Sequence, residues 1–210
     1  MRVHDDRYSR DQRRFEIAMR FIRHEARTHT IRAWTGLTDD RIRKLYRSYI
    51  KESHGNAPVR HRGKSPQQPA FFTRSIRARE ESALLASLCR TIGALPGSTA
   101  PGSTAAEPVR VEPGLGRAEL LCHAYEIYRT QIPSPLISFE HAVFLLGALS
   151  RGDELTLAAC RDCAAVVVAD RWSLRVTRCL VCAPPVRARG WATPRLRVSR
   201  RVAGNAARRA

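Results

Sequence analysis

The strongest chemical signal in the chain is carried by four cysteines. Cys160-Arg161-Asp162-Cys163 is followed, fifteen residues later, by Cys179-Leu180-Val181-Cys182, the spacing of a two-knuckle structural zinc site. Each C-x-x-C turn directs two sulfurs at one point, and four thiolates supply the tetrahedron that a borderline-soft d10 ion takes. One Zn2+ per chain, held by Cys160, Cys163, Cys179 and Cys182, is therefore the expectation. An iron–sulfur cluster draws on the same donors, whereas a redox pair would not call for a second knuckle. Four sulfurs close the coordination sphere and leave no position for an activated water. A zinc deaminase would need an H-x-E element, which none of the seven histidines supplies. No nucleophile, base and oxyanion donor form a legible group, so an enzyme is not expected. Cys89 and Cys122 sit in apolar helical patterns and read as small buried residues.

The elements around the cysteines follow from residue type. Val166, Val167, Val168, Trp172, Leu174 and Val176 are strand formers broken near Asp170-Arg171, which predicts a hairpin joining the two knuckles in a zinc-ribbon-like layout. Upstream the pattern is helical. From Asp11 to Trp34, Phe15, Ala18, Met19, Phe21, Ile22, Ala26, Ile31 and Ala33 recur at mostly helical spacing. Gly36 interrupts, and Thr38 can cap a helix whose first turn holds Asp39 and Asp40, favourable at the positive dipole end. That helix buries Ile42, Leu45, Tyr46 and Tyr49 and turns Arg41, Arg43, Lys44, Arg47 and Lys51 outward. Three more core helices are expected: Ile76 to Ile92 with Leu84, Leu85 and Leu88, Arg117 to Ile132, and Phe139 to Leu149 behind a Ser138 cap. His54 to Pro69, rich in Gly and Pro, is a connector. The repeat P-G-S-T-A-P-G-S-T-A at 96–105 marks a flexible insertion spanning 95–116. The expected organisation is a mainly α chain: a helical DNA- and partner-binding domain at 1–155, a zinc module at 156–186 and a basic tail at 187–210.

Charge indicates what such a chain would meet. With 37 Lys+Arg against 19 Asp+Glu, the net charge is +18, which favours a polyanionic partner. The charge is polarised: residues 1–51 carry a net +7, 52–159 only +1, and 160–210 carry +10. Arginine-rich codon usage would spread the excess evenly, so two basic surfaces flanking a neutral middle are expected. The turn at Gly36 with Ile42 and Leu45 facing inward can be laid on a helix-turn-helix. Arg41, Arg43, Lys44, Arg47 and Lys51, together with Arg175 and Arg178 beside the second knuckle, are the expected contacts to double-stranded DNA. Met1 to Arg14 has no apolar core segment and Ala142 to Leu149 is too short to span a bilayer, so a cytoplasmic protein is expected.

Several of these residues recur together in a known family. The helix beginning Phe15-Glu16-Ile17-Ala18-Met19, the segment Arg41-Ile42-Arg43-Lys44-Leu45-Tyr46, Tyr125-Glu126-Ile127-Tyr128, both C-x-x-C pairs and the following Pro184-Pro185 resemble the FlhC family of flagellar transcription regulators. The resemblance runs from the amino terminus through the second knuckle. It implies a mostly helical, zinc-holding bacterial protein that supplies much of the DNA contact in a hetero-oligomer with FlhD, a heterohexamer, and switches on flagellar operons. The family's proline-rich connector and aromatic pair are reshaped here into Gly63-Lys64-Ser65-Pro66 and Phe71-Phe72, and the insertion departs from its pattern. Two other classes remain compatible with the residues: an RNA-binding zinc ribbon, since a basic tail suits RNA phosphates equally well, and a structural adaptor that uses zinc only to fold.

Overall fold

The computed structural model describes residues 3–52, 58–61, 63–95, 113–173 and 178–182. The repeat at 96–105, Arg175, Pro184-Pro185 and the tail at 187–210 lie outside them. The chain is mainly helical: α1 (Val3–Arg23), α2 (Thr28–Thr35), α3 (Asp39–Glu52), a 3-10 turn (Pro69–Phe72), α4 (Ile76–Thr91), α5 (Leu115–Gln131) and α6 (Phe139–Arg151), followed by β1 (Leu155–Ala159) and β2 (Val166–Asp170).

The helical run expected over Asp11 to Trp34 is two helices. Glu25 takes a left-handed conformation at φ 60°, the Ala26 N–H reaches back to the Phe21 carbonyl at 2.9 Å, and the Glu25 N–H donates to the Ile22 carbonyl at 2.9 Å. These two bonds are a Schellman closure, which satisfies carbonyls that α1 would otherwise leave open. Glycine normally holds that position. A glutamate there gives no sequence signal, and the break is selected by burying Ala26 in the core.

An isolated eight-residue helix such as α2 is unstable in water; it persists because Ile31 is fully buried. Its end is marked by Gly36 at φ 70°, whose N–H donates to the Arg32 carbonyl, and Thr38 then caps α3 by accepting from the Arg41 N–H at 3.4 Å. Along α3, Ile42 and Tyr46 are buried, with Leu45 and Tyr49 packed against the same core. The Tyr46 hydroxyl donates to the Ala26 carbonyl at 2.7 Å, which ties α3 to the turn between α1 and α2.

In α4 the buried face runs through Ala78, Glu81, Ser82, Leu85, Ala86 and Cys89, while Leu84, Leu88 and Ile92 are only partly buried at its edge. In α5, Leu121, Ala124, Tyr125 and Tyr128 are buried, but Ile127 is exposed. Cys89 and Cys122 are buried free thiols. Ser138 caps α6 by accepting from the His141 N–H. At the two ends of the expected 95–116 insertion, Leu95 is buried and α5 begins at Leu115; residues 96–112 lie outside the described residues.

The helices close on an aromatic centre in which Phe139 meets Phe21 edge-on at 4.8 Å and Tyr125 at 5.1 Å. Each such pair adds about 0.5–1.5 kcal/mol beyond area burial. Helix α1 packs on α2, α3 and α5, and α4 packs on α5, α6 and β2. The two strands pair antiparallel, Leu155 opposite Asp170 and Ala159 opposite Val166, and Leu155 and Val168 join the same core as the helices.

Candidate metal centre and basic face

The strands place the first knuckle. Val166–Asp170 is a strand as its valines predict, but its partner is Leu155–Ala159, upstream of the first cysteine. Residues 160–165 form the loop of this hairpin, which carries Cys160 and Cys163 at its tip. Leu155–Ala159 is rich in Leu and Ala, helix formers by propensity, and becomes a strand by pairing and by the burial of Leu155. Residues 174–177, the expected second strand, lie outside the described residues. The loop is closed by the Cys160 N–H on the Ala165 carbonyl at 2.8 Å and the Ala164 N–H on the Cys160 carbonyl at 2.9 Å. Ala164 is held at φ 59°, a left-handed conformation that costs a non-glycine residue about 1–2 kcal/mol.

The second knuckle meets this tip. The Cys163 and Cys179 sulfurs lie 3.5 Å apart, and all four Sγ atoms, from Cys160, Cys163, Cys179 and Cys182, lie within 4.8 Å of one another. Tetrahedral bonds of about 2.3 Å to zinc require sulfur–sulfur separations of about 3.8 Å, which these donors bracket. The four cysteines could therefore hold a metal ion of that size. Backbone amides face the sulfurs: the Cys179 N–H lies 3.3 Å from Cys160 Sγ, and the Cys182 N–H 3.4 Å from Cys179 Sγ. The Cys179 N–H is the main reason the Cys160 thiol is pulled down to about 6, while contact with the Cys163 and Cys179 sulfurs pushes Cys182 up. A metal ion held there would deprotonate every coordinating thiol. Arg178 Nε pairs with Asp162 Oδ2 at 3.1 Å, linking the knuckles, and Arg79 of α4 donates to the Arg178 carbonyl at 3.4 Å.

Every expected cation on α3 faces outward: Arg41, Arg43, Lys44, Arg47 and Lys51 are all exposed. Arg43 pairs with Asp40 at 3.0 Å, and the Arg41 guanidinium lies 5.9 Å from the Phe15 ring centre. Arg178 is exposed but shares its charge with Asp162. The fold does not merge α3 and the knuckles into one site, for α3 packs on α1 and α2 whereas the hairpin packs on α4, α6 and the 3-10 turn.

Two buried carboxylates brace this arrangement. Glu140 accepts from the Arg27 N–H at 2.7 Å and the Thr30 hydroxyl at 3.0 Å, and it also bonds Ser65, joining α6 to α2 and the connector. Glu81 accepts from Arg77 at 2.6 Å, from the Leu136 and Ile137 amides at 2.7 and 3.3 Å, and from the Tyr128 hydroxyl. A carboxylate in phase with Ala78, Leu85 and Cys89 was the signal available for Glu81; for Glu140, next to a cap, there was none.

The fold and site define a mainly helical protein with a four-cysteine cluster that could hold a metal ion and a separate, exposed basic helix. No family model matches the chain, and no curated protein matches it. Among the described residues no helix is long and apolar enough to cross a membrane.

Proposed function

We propose that this protein is a DNA-binding transcription activator of the FlhC kind, with one structural zinc ion per chain. The observation that carries the reading is the row Arg41, Arg43, Lys44, Arg47 and Lys51, exposed on α3 while Ile42 and Tyr46 lock its other side into the core. A short helix, a three-residue turn at Gly36 and a second helix with a basic outer face suit a helix-turn-helix, whose second helix enters the major groove while phosphate contacts fix its register. Zinc is the ion assigned because four thiolates suit a closed tetrahedral site with no open position for catalysis. Cys160, Cys163, Cys179 and Cys182 would hold it, and its contribution is to fix the two knuckles against α4. The resemblance described above supports a hetero-oligomer with FlhD acting on flagellar operons.

The test is duplex binding followed by fluorescence anisotropy from low to physiological ionic strength, alone and after co-expression with FlhD. Affinity falling steeply with salt, with a log–log slope corresponding to several phosphates and with sequence preference, is the expected result. A flat salt dependence refutes it. Preference for single-stranded or folded RNA would instead identify an RNA-binding ribbon, and no nucleic acid affinity an adaptor.

A further inference from the structure

A cleft of about 490 Å³ opens beside α3, lined chiefly by Arg27, Thr28, His29, Arg43, Arg60 and His61. Its cations converge from three separate segments: Arg27 from the turn before α2, Arg43 from α3, and Arg60 from the connector. Among the described residues no carboxylate lines it. The acids around it bond from outside the cleft: Glu140 takes the Arg27 N–H at 2.7 Å, while Glu25 lies 2.9 Å from His61 and Asp40 3.0 Å from Arg43 in pairs that are substantially exposed. Such pairs are worth about 0–1 kcal/mol, too little to hold the guanidinium groups against a stronger acceptor. Arg60 is preset, since it rests 5.4 Å from the Tyr46 ring centre and donates to the Thr28 hydroxyl at 3.4 Å. Arg27 is likewise anchored, donating to the Lys64 carbonyl.

Like charges gathered in a concavity repel unless an anion joins them, and the planar fork of arginine matches phosphate oxygens in paired, charge-assisted hydrogen bonds. Imidazoles at His29 and His61 add donors at the same place. We propose that this cleft seats a phosphate group, namely one of the duplex backbone alongside α3, with Arg43 shared between the seat and the groove-facing row. The inference rests on the DNA-binding reading and adds to it a contact that sets register without reading bases.

The experiment compares wild type, Arg60→Gln and Thr28→Glu in duplex titrations at several salt concentrations. Thr28→Glu places a carboxylate against Arg60 inside the cleft, at a first helical position where an acid favours the helix, so it answers the question even where Arg60→Gln disturbs Tyr46. Both variants should weaken binding to every duplex alike, lower the salt slope by about one and leave sequence preference intact. Unchanged affinity and slope in both overturn the proposal. A parallel arm titrates inorganic phosphate and follows the His29 and His61 ring resonances by NMR. Saturable shifts in wild type that Thr28→Glu abolishes support the seat, and no shift at all overturns it. Wild-type protein that binds no duplex refutes the DNA-binding reading separately; phosphate shifts in that case assign the cleft to a free phosphorylated compound and overturn the backbone assignment.

Discussion

The Cys163 and Cys179 sulfurs approach to 3.5 Å across a separation of sixteen residues. Neither knuckle can arrange this alone, because one is the loop of a hairpin seated on the core and the other arrives beside it, tied by Arg178 to Asp162, by Arg79 to the Arg178 carbonyl and by the Cys179 N–H to Cys160 Sγ. A metal bond is the strongest interaction open to the second knuckle. Structural zinc contributes on the order of 10 kcal/mol of apparent folding free energy in small zinc peptides. Purified protein should hold one zinc per chain by elemental analysis, and Cys179→Ala should lose it. Hydrogen exchange at 178–182 should then rise sharply while α1 to α6 keep their far-ultraviolet signal. Full protection of those amides in metal-free protein would rule the site out.

Glu81 supplies a stability test at acid pH. Burial by itself would raise its carboxyl, but hydrogen bonds from Tyr128, Arg77 and the Leu136 and Ile137 amides outweigh that and hold it below the usual glutamate value. A depressed carboxyl stabilises the fold above its unfolded value, about 4.3, and that contribution is lost as pH falls through the folded value. Urea midpoints of wild type should therefore drop more steeply below about pH 4.3 than those of Glu81→Gln. Glu81→Ala, which takes the acceptor from the Tyr128 hydroxyl and the Leu136 amide, should cost about 1–3 kcal/mol for each buried donor left unsatisfied at neutral pH. Parallel pH profiles for wild type and Glu81→Gln would contradict this role.

Gly36 sets the turn between α2 and α3. An added Cβ meets nothing within 4 Å, so Gly36→Ala creates no clash and its cost is conformational, at φ 70°. Denaturant unfolding should show a loss of about 1–2 kcal/mol with an unchanged m-value. A neutral result would mean that the turn relaxes out of the left-handed region.

On the basic face, Lys44→Ala and Arg47→Ala remove exposed charges that no buried contact needs. Their thermal midpoints should stay near wild type, since exposed substitutions usually fall within about 0.5 kcal/mol. Duplex affinity should fall, by about 1–3 kcal/mol where a base contact is lost. Should both bind normally, α3 is not the reading helix.

What the sequence determined by itself is whatever depends on short spacing. Two C-x-x-C pairs announce sulfur ligands because the turn that converges two sulfurs is local. The period of Ile42, Leu45, Tyr46 and Tyr49 places Arg41, Arg43, Lys44, Arg47 and Lys51 outside for the same reason, since one helix face follows from the other. Ser138 and Thr38 are legible as caps because a cap bonds within its own first turn. Tertiary structure alone decided which strand Val166–Asp170 pairs with, for a strand is completed by a distant partner and Leu155–Ala159 has the composition of a helix. It also chose Glu25 as the left-handed end of α1, because burying Ala26 outweighs the conformational strain. The gathering of Arg27, Arg43 and Arg60 around one cleft is likewise tertiary. Those residues lie far apart along the chain, and no local period relates them until the helices pack.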